Sequence, residues 1–181
     1  MKGTLYLVAT GAPLTRRIPD GVEAARAHGW VPAVLATVAA GQWLDIDRLA
    51  ALDVPVLAEQ RTPGEPKRFP SPDAVAVVPA TFNTTNKLAA GIADNHAVSV
   101  LCETLGAGVP MVLVPFLKAS LAGHPSWLAS LAVLRYAGVT LIDPRDGSVN
   151  THDPLESGTG DAVTDAFRWS WVLDRLPRET D

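Results

Sequence analysis

Short apolar runs alternate with amphipathic segments along most of the chain. The runs are rich in β-branched residues and nearly free of charge, which is typical of strands buried on both faces of a parallel sheet. They cover residues 4–9, 31–37, 55–58, 74–78, 110–115 and 139–142. Apolar residues at helical spacing predict helices between them, at residues 19–28, 44–52, 96–106 and 125–136. This alternation predicts a three-layer α/β fold with a parallel sheet of about six strands.

Composition predicts a single domain over residues 1–181, because 181 residues of which 48% are hydrophobic suffice for a substantial core. Residues 143–160 are rich in Pro, Asp, Gly, Ser and Thr, which predicts a long surface loop. Apolar spacing predicts a final helix at residues 161–176. The net charge of −4 gives no electrostatic reason to expect a nucleic-acid partner.

The lone cysteine and the N-terminal segment indicate the cellular compartment in which we expect the protein. Cys102 has no partner for an intramolecular disulfide, and its apolar helical surroundings favour a buried packing role over a nucleophile. The first apolar run is too short to cross a membrane and lacks the core of a signal peptide. We therefore expect a cytoplasmic protein without a membrane partner.

Residues 73–95, DAVAVVPATFNTTNKLAAGIADN, are the most informative stretch. We expect Pro79 to end the fourth strand and residues 80–84 to form a polar turn. Asn83 or Thr84 then caps the following helix, because its side-chain oxygen can accept from free backbone N–H groups. The dipole and free N–H groups of a helix N-terminus favour an anion, so the pattern is typical of a phosphate site.

Polar residues also follow the first two strands. Thr10, Gly11 and Ala12 form a tight turn after the first strand, and Thr37 ends the second. Ligands of open parallel sheets bind at the carboxyl ends of the strands, so these residues and the turn after the fourth strand are expected at one crevice. For Thr37, a hydroxyl that caps the next segment is the alternative.

The turn PATFNT and the continuation KLAAGIADN resemble the PASANT-type motif and the K-x-A-x-G-x-x-D-N segment of the homo-oligomeric flavin-containing cysteine decarboxylases. The resemblance is closest here and looser over residues 4–142. It implies a Rossmann/flavodoxin-like fold, FMN as the cofactor, and a homotrimer or a dodecamer of trimers with flavin near the subunit boundary. It also implies oxidative decarboxylation of a peptide or small molecule that carries a cysteine.

The resemblance also implies a set of cofactor-binding residues. These are Thr10, Gly11, Ala12, Thr37, Trp43, Pro79, Ala80, Thr81, Asn83, Thr84, Asp94 and Asn95. Ala12 replaces the serine of the family's first turn, which removes one hydroxyl near the flavin phosphate. Trp43 either lies against the flavin or packs in the core. Asp94 and Asn95 either approach the flavin or cap the next helix.

The candidate catalytic residues are Asn83, Glu65 and His124. Asn83 would orient substrate or flavin, and His124 is the histidine best placed for substrate contact. Glu65 stands where the family's decarboxylases have a histidine, and it is either a base or a solvated loop residue.

Other departures concern the family's P-x-M-N-x-x-M-W clamp, which holds the substrate carboxylate. Phe116, Leu117 and Lys118 stand in its place, and Lys118 either binds an anion or is an ordinary surface lysine. His96 is read as a structural or interface histidine. His152 and Asp153 lack a third ligand and do not predict a metal site.

These departures leave two functions open. One is an FMN-dependent cysteine decarboxylase. The other is an FMN-binding protein that does not decarboxylate, either a regulatory or interaction subunit or a different flavin redox enzyme.

Overall fold

The computed structural model describes residues 2–58, 69–150 and 153–177. In these ranges a six-stranded parallel sheet has the order β3-β2-β1-β4-β5-β6. Its strands are β1 (Thr4–Ala9), β2 (Val31–Ala36), β3 (Val56–Leu57), β4 (Ala74–Ala80), β5 (Met111–Pro115) and β6 (Thr140–Leu141). The three-layer, Rossmann/flavodoxin-like α/β fold that the sequence predicts is confirmed.

The helices cover both faces of this sheet. They are α1 (Ile18–Ala27), α2 (Ile46–Ala51), α3 (Phe82–Ala90), α4 (His96–Gly106), α5 (Ala119–Ala122), α6 (Pro125–Tyr136), α7 (Gly160–Ala166) and α8 (Ser170–Leu173). Short 3-10 helices at Pro13–Arg17 and Val38–Ala40 follow β1 and β2. None of the helices in the described ranges has both the length and the apolar character that a membrane span requires.

The core consists of two layers, one on each face of the sheet. Side chains of α1, α2 and the C-terminal helices form one layer, in which Ile18, Leu49 and Val172 are fully buried. Side chains of α3, α4 and α6 form the other, which includes Leu88, Leu101 and Trp127. Every residue of the central strands β1 and β4 is buried, as their uncharged sequences require.

The structure corrects the predicted end of β4. Pro79 does not stop the strand, which continues to Ala80. The pairing with β5 shifts register between Val77 and Ala80, and strand irregularities of this kind tolerate a proline that cannot donate to the ladder. The helix cap is corrected as well, because Thr81, not Asn83 or Thr84, occupies the N-cap.

The predicted helix at residues 161–176 is two short helices, α7 and α8, with Phe167 in an extended conformation between them. The break has a packing reason. Residues two apart on one helix point in nearly opposite directions, whereas here the rings of Phe167 and Trp169 are both buried and lie 5.6 Å apart. The C-terminal segment therefore packs against the core through alternating aromatic residues, Phe167 and Trp169, that lie on the same side.

Candidate functional site

A cavity of about 650 Å³ lies at the carboxyl ends of the central strands. Residues 11–13, 37–39 and 81–84 line one part of it, and we call them the N-terminal lining. Residues 116–118, 155–158 and Gly160 line another part, and we call them the C-terminal lining; Asn95 and Leu121 complete the lining. Because β1 and β4 are neighbours in the sheet but not in the chain, the cavity lies at the topological switch point, where sheets of this type bind ligands.

Thr10 connects the ends of β1 and β4 beneath the N-terminal lining. Its hydroxyl donates to the carbonyl of Pro79 at 2.8 Å and accepts from the N–H of Thr81 at 3.2 Å. The side chain is buried and does not line the cavity. Thr10 therefore fixes the spacing of the two turns and does not present its own hydroxyl to a ligand.

Gly11 lets the turns after β1 and β2 approach closely. A Cβ atom added there would lie 2.8 Å from the Cβ of Ala39 and 3.0 Å from its carbonyl oxygen. Both distances are shorter than an unstrained contact, so a side chain would push the Thr37–Ala39 backbone away. The backbone at Gly11 and Ala12 thereby forms the surface of the cavity itself.

Thr37 presents a hydroxyl with unmet hydrogen-bonding capacity. Its Oγ1 atom is buried and has no hydrogen-bond partner among the described residues. The alternative role of a cap is wrong, since the side chain makes no capping bond to the 3-10 turn that follows. A buried hydroxyl without a partner loses its bonds to water without replacement, and because Thr37 lines the cavity, its hydroxyl is a candidate for a hydrogen bond to a ligand.

The N-terminus of α3 contributes the third turn. Thr81 has an extended backbone, and its Oγ1 accepts from the N–H of Thr84 at 3.5 Å and donates to the Thr84 hydroxyl at 3.2 Å. Helix α3 begins at Phe82, so the N–H groups of its first turn have no partner within the helix. Asn83 and Thr84 both line the cavity.

Asp94 and Asn95, which the sequence predicts to act together, have different surroundings in the structure. Asn95 lines the cavity and also caps α4, because its Oδ1 accepts from the N–H of Val98 at 3.1 Å. Asp94 is exposed, does not line the cavity and pairs with Lys87 at 2.5 Å. The hydrogen bond from Lys87 lowers the pKa of the Asp94 carboxyl.

Several other predicted site residues lie away from the cavity. Pro79 and Ala80 are buried within β4. Trp43 is half-buried outside the lining, and the guanidinium of Arg16 lies 5.7 Å from its ring centroid. His124 is exposed and caps α6, where its Nδ1 accepts from the N–H of Ser126 at 3.1 Å. Glu65 and His152 fall outside the described residues.

The C-terminal lining joins two distant parts of the chain, and its second part was not predicted. Leu155 and Lys118 form a parallel bridge, in which the N–H of Leu155 donates to Leu117 at 2.9 Å and the N–H of Ala119 donates to Leu155 at 3.1 Å. Residues 155–158 look like a surface loop in the sequence. Since the pairing is between distant residues, no local pattern indicates that they line a cavity.

The charges of the cavity are few. Among the described lining residues only Lys118 and Glu156 carry charge, and there is no histidine or cysteine. The remaining lining is apolar, hydroxyl, amide or glycine. No group of three metal-ligating side chains occurs in the part of the chain that the structure describes.

Comparison with known proteins gives the chain its relatives. A cysteine/cysteine sulfinic acid decarboxylase from an unknown prokaryotic organism is 35% identical over 77 residues, which are 42% of this chain and 21% of that protein. The matched part is thus about a fifth of that relative. The chain is also similar to the FMN-dependent cysteine decarboxylase TvaF from thioviridamide biosynthesis, with a TM-score of 0.66, 24% identity, and coverage of 78% of this chain and 90% of TvaF.

A second solved structure, the FMN-binding protein AtHal3, superimposes with a TM-score of 0.65 at 17% identity and covers 91% of this chain and 94% of its own. At such identities these structures establish the fold. The family model supports a stronger conclusion than the fold alone, because it matches residues 2–165. The chain belongs to the Flavoprotein family.

Proposed function

We propose that the chain binds FMN in this cavity and catalyses oxidative decarboxylation of a substrate that carries a cysteine. Membership of the Flavoprotein family supports the cofactor, and the cysteine decarboxylases among its relatives support the reaction. The observation that carries the proposal is the unpartnered hydroxyl of Thr37 at a switch-point cavity.

The residues present fit a flavin mononucleotide. Its phosphate and ribityl chain need hydrogen-bond donors, which the Thr37 hydroxyl and the free N–H groups at the start of α3 provide. Its ring system needs an apolar surface, and Phe82, Phe116 and Leu117 supply one. The missing side chain of Gly11 leaves room for close approach to the backbone.

Each part of the N-terminal lining then has a role. Gly11, Ala12 and Thr37 hold the phosphate end of the cofactor, while Thr81 and Thr84 bond to the ribityl chain. Asn83 orients the substrate against the ring. Bound FMN would supply the two-electron acceptor for oxidation of the substrate's cysteine, which prepares the substrate to lose carbon dioxide.

A second candidate is an FMN-binding protein that does not decarboxylate. Two observations favour it: the described lining has no histidine, and Phe116, Leu117 and Lys118 replace the family's clamp.

Purified protein tests the cofactor and the reaction separately. We expect absorbance after gel filtration to show about one FMN per chain. A protein that takes up no added FMN would refute both candidates. The loaded protein is then incubated with cysteine-terminated peptides, free cysteine and pantothenoyl-cysteine compounds. Loss of carbon dioxide and two hydrogens by mass supports the decarboxylase, and no mass change across the panel leaves the second candidate.

Asn83→Asp tests the role of the amide. The variant puts a negative charge beside the proposed ring, so we expect turnover or FMN retention to fall by about tenfold or more. Asn150→Asp, at a residue that does not line the cavity, is the control. Unchanged turnover and retention in Asn83→Asp would contradict the role given to this residue.

The oligomeric state stays a prediction. A homotrimer or a dodecamer of trimers is expected from the family resemblance, and Val38, which is 84% exposed at the cavity rim, is a residue that a second copy would cover. Light scattering coupled to gel filtration measures the mass directly.

A further inference from the structure

Helix α6 is apolar on its solvent side as well as on its buried side. The buried side, which includes Trp127, Leu131 and Leu134, packs in the same core layer as α3 and α4. A helix that is apolar all round is typically covered by protein on every side. Six residues on the solvent side of α6 are nevertheless exposed, and we call them the α6 stripe. They are Pro125, Leu128, Ala129, Ala132, Val133 and Tyr136.

The α6 stripe has no charged side chain. Arg135 is the single charged residue of the helix, and it is half-buried beside the stripe, where it donates to a loop carbonyl at 2.8 Å. The exposed side of α1, a helix of similar length, has Glu23 and Arg26 instead. Charged residues on the solvent side are the usual arrangement for a surface helix, so α6 departs from it.

The α6 stripe is large enough for a stable contact. Tyr136 is 95% exposed, Leu128 57% and Val133 48%. The tyrosine alone offers on the order of 200 Å². All six residues offer roughly 500 Å², which is in the upper range for the largest apolar patch of a monomer. Two such stripes in contact would bury about 1,000 Å², the area that a specific protein interface needs.

The order of small and large residues along the α6 stripe is self-complementary. An antiparallel pair of α6 helices that cross at their midpoints brings together residues at equal distances from the centre. The facing pairs are Ala129 with Ala132, Leu128 with Val133, and Pro125 with Tyr136. The alanines lie at the crossing point, where small side chains let two helix axes approach to about 8 Å. Because the stripe is uncharged, this pairing brings no like charges together.

The α6 stripe is separate from the cavity. No residue of Pro125–Tyr136 lines the cavity. Trp127, on the buried side of the helix, stacks on Phe82 of the cavity wall with ring centroids 6.1 Å apart. Val38 at the cavity rim follows β2, whereas α6 connects β5 to β6 in the other half of the sheet. A contact at the α6 stripe is therefore different from a subunit boundary at the cavity rim.

We propose that the α6 stripe is a two-fold interface, at which the α6 helices of two copies of this chain pack antiparallel. Such a contact uses the same surface on both copies, so it closes after two copies and does not extend into a filament. The proposal does not depend on FMN or on the reaction. Combined with the three-fold contact that the family resemblance implies, it gives assemblies of six or twelve chains and excludes an isolated trimer.

Light scattering coupled to gel filtration tests the interface through a charge placed on it. Val133→Lys buries an ammonium group against the uncharged partner, so we expect the mass of the assembly to fall by half or more. Ile46→Lys is the matched control, because Ile46 is 50% exposed on α2, and its mass should equal that of wild type. A wild type with an odd number of chains would overturn the proposal, as would a Val133→Lys variant that keeps the wild-type mass.

A cross-link tests the antiparallel geometry and remains informative if the charged variant does not fold. Leu128→Cys and Val133→Cys chains are co-expressed and oxidised, and we expect a disulfide-linked dimer with one chain of each kind. Either variant alone should link about tenfold less, because each position faces the other one and not itself. Ile46→Cys with Val133→Cys is the control pair. Equal linking in all of these samples, or none in the first, would contradict the arrangement.

FMN uptake separates this proposal from the proposed function. Val133→Lys should retain FMN to the same extent as wild type, since the residue does not line the cavity. Failure of wild type to take up FMN would refute the proposed function and leave the mass and cross-linking results valid. Intact FMN uptake in a wild type with an odd number of chains would refute the two-fold interface alone.

Discussion

The two linings of the cavity are built in different ways. The N-terminal lining consists of three turns that directly follow strands of the buried sheet centre, and the Thr10 hydroxyl joins two of them. The C-terminal lining depends on a bridge between Lys118 and Leu155, and on a C-terminal segment that must pack correctly. The first should persist as long as the sheet persists, whereas the second can be lost separately.

The C-terminal segment is anchored beside the start of α1. Trp169 donates its indole N–H to the carbonyl of Arg17 at 2.9 Å, and its ring occupies the space where a side chain of Gly21 would lie. The Arg17 guanidinium in turn donates to the carbonyl of Thr164 at 2.8 Å. Gly160, at the start of this segment, lies next to Pro13 and Phe116 and so brings the two linings together.

The largest effect is expected from Trp169→Ala. The side chain is 5% exposed, so its removal leaves a cavity and should lower the free energy of unfolding by about 3–5 kcal/mol. Hydrogen exchange should show α7 and α8 losing protection while β1 and β4 keep theirs. Equal loss of protection in all four elements would show that the two linings are not separable.

Trp43→Ala is the matched control for that change. Trp43 is half-buried and contacts the Arg16 guanidinium, so its loss should cost about 1 kcal/mol or less. FMN retention should not change, because the ring does not line the cavity. A loss of retention would instead support the flavin contact that the sequence predicts for Trp43.

Gly11→Val acts on the N-terminal lining alone. The added side chain would collide with Ala39, so we expect FMN affinity to fall by about tenfold or more. Gly106→Ala is the control, since a Cβ added there meets nothing within 4 Å. Equilibrium dialysis measures the affinity, and circular dichroism checks that the fold is intact. Wild-type affinity in a folded Gly11→Val protein would exclude close contact between this turn and the cofactor.

Thr37→Val separates stability from binding. Valine keeps the shape and removes the unpartnered hydroxyl, so the cofactor-free protein should gain about 1 kcal/mol in unfolding free energy. FMN should bind more weakly because one hydrogen bond is lost, and Thr37→Ser should restore the affinity. Denaturant titrations with and without FMN measure both effects. A variant that is less stable without cofactor would show that this hydroxyl has a partner in the protein.

The smallest expected effect is a loss of stability at acid pH near Arg17, the residue that anchors the C-terminal segment. Burial raises the pKa of Asp20, but hydrogen bonds and charge from Arg17 and Arg48 outweigh it, and the net pKa lies below the ordinary value. A lowered folded-state pKa stabilises the fold above about pH 4, and this contribution disappears as the pH falls through the folded-state pKa.

Asp20→Asn should therefore be less stable than wild type at pH 7, and the difference should narrow below about pH 4. Asp165→Asn, at an exposed carboxylate of α7 without an ion pair among the described residues, removes one charge outside this pairing and is the control. Parallel unfolding curves of Asp20→Asn and wild type over this pH range would contradict the pairing.

The sequence predicts much of the N-terminal lining but little of the C-terminal lining. The uncharged runs predict the strands, and Thr37 and the 81–84 turn are recognisable because strand ends and helix starts are local features. The predicted cap is wrong because Thr81, Asn83 and Thr84 all have suitable side chains, and the strand continues to Ala80, which leaves Thr81 at the N-cap. Residues 155–158 carry no local signal, since only the folded sheet brings them to Lys118.

The link made by Thr10 has a consequence for how such a protein diversifies. The Thr10 hydroxyl links the carboxyl ends of β1 and β4 without lining the cavity. The N-terminal lining therefore depends on the same residues that hold the sheet together. The C-terminal lining is attached through the Lys118–Leu155 bridge and buried aromatic side chains. It can therefore accumulate substitutions while the N-terminal lining stays intact. If the proposed function is correct, substitutions in the C-terminal segment would change the substrate preference while the FMN site is kept.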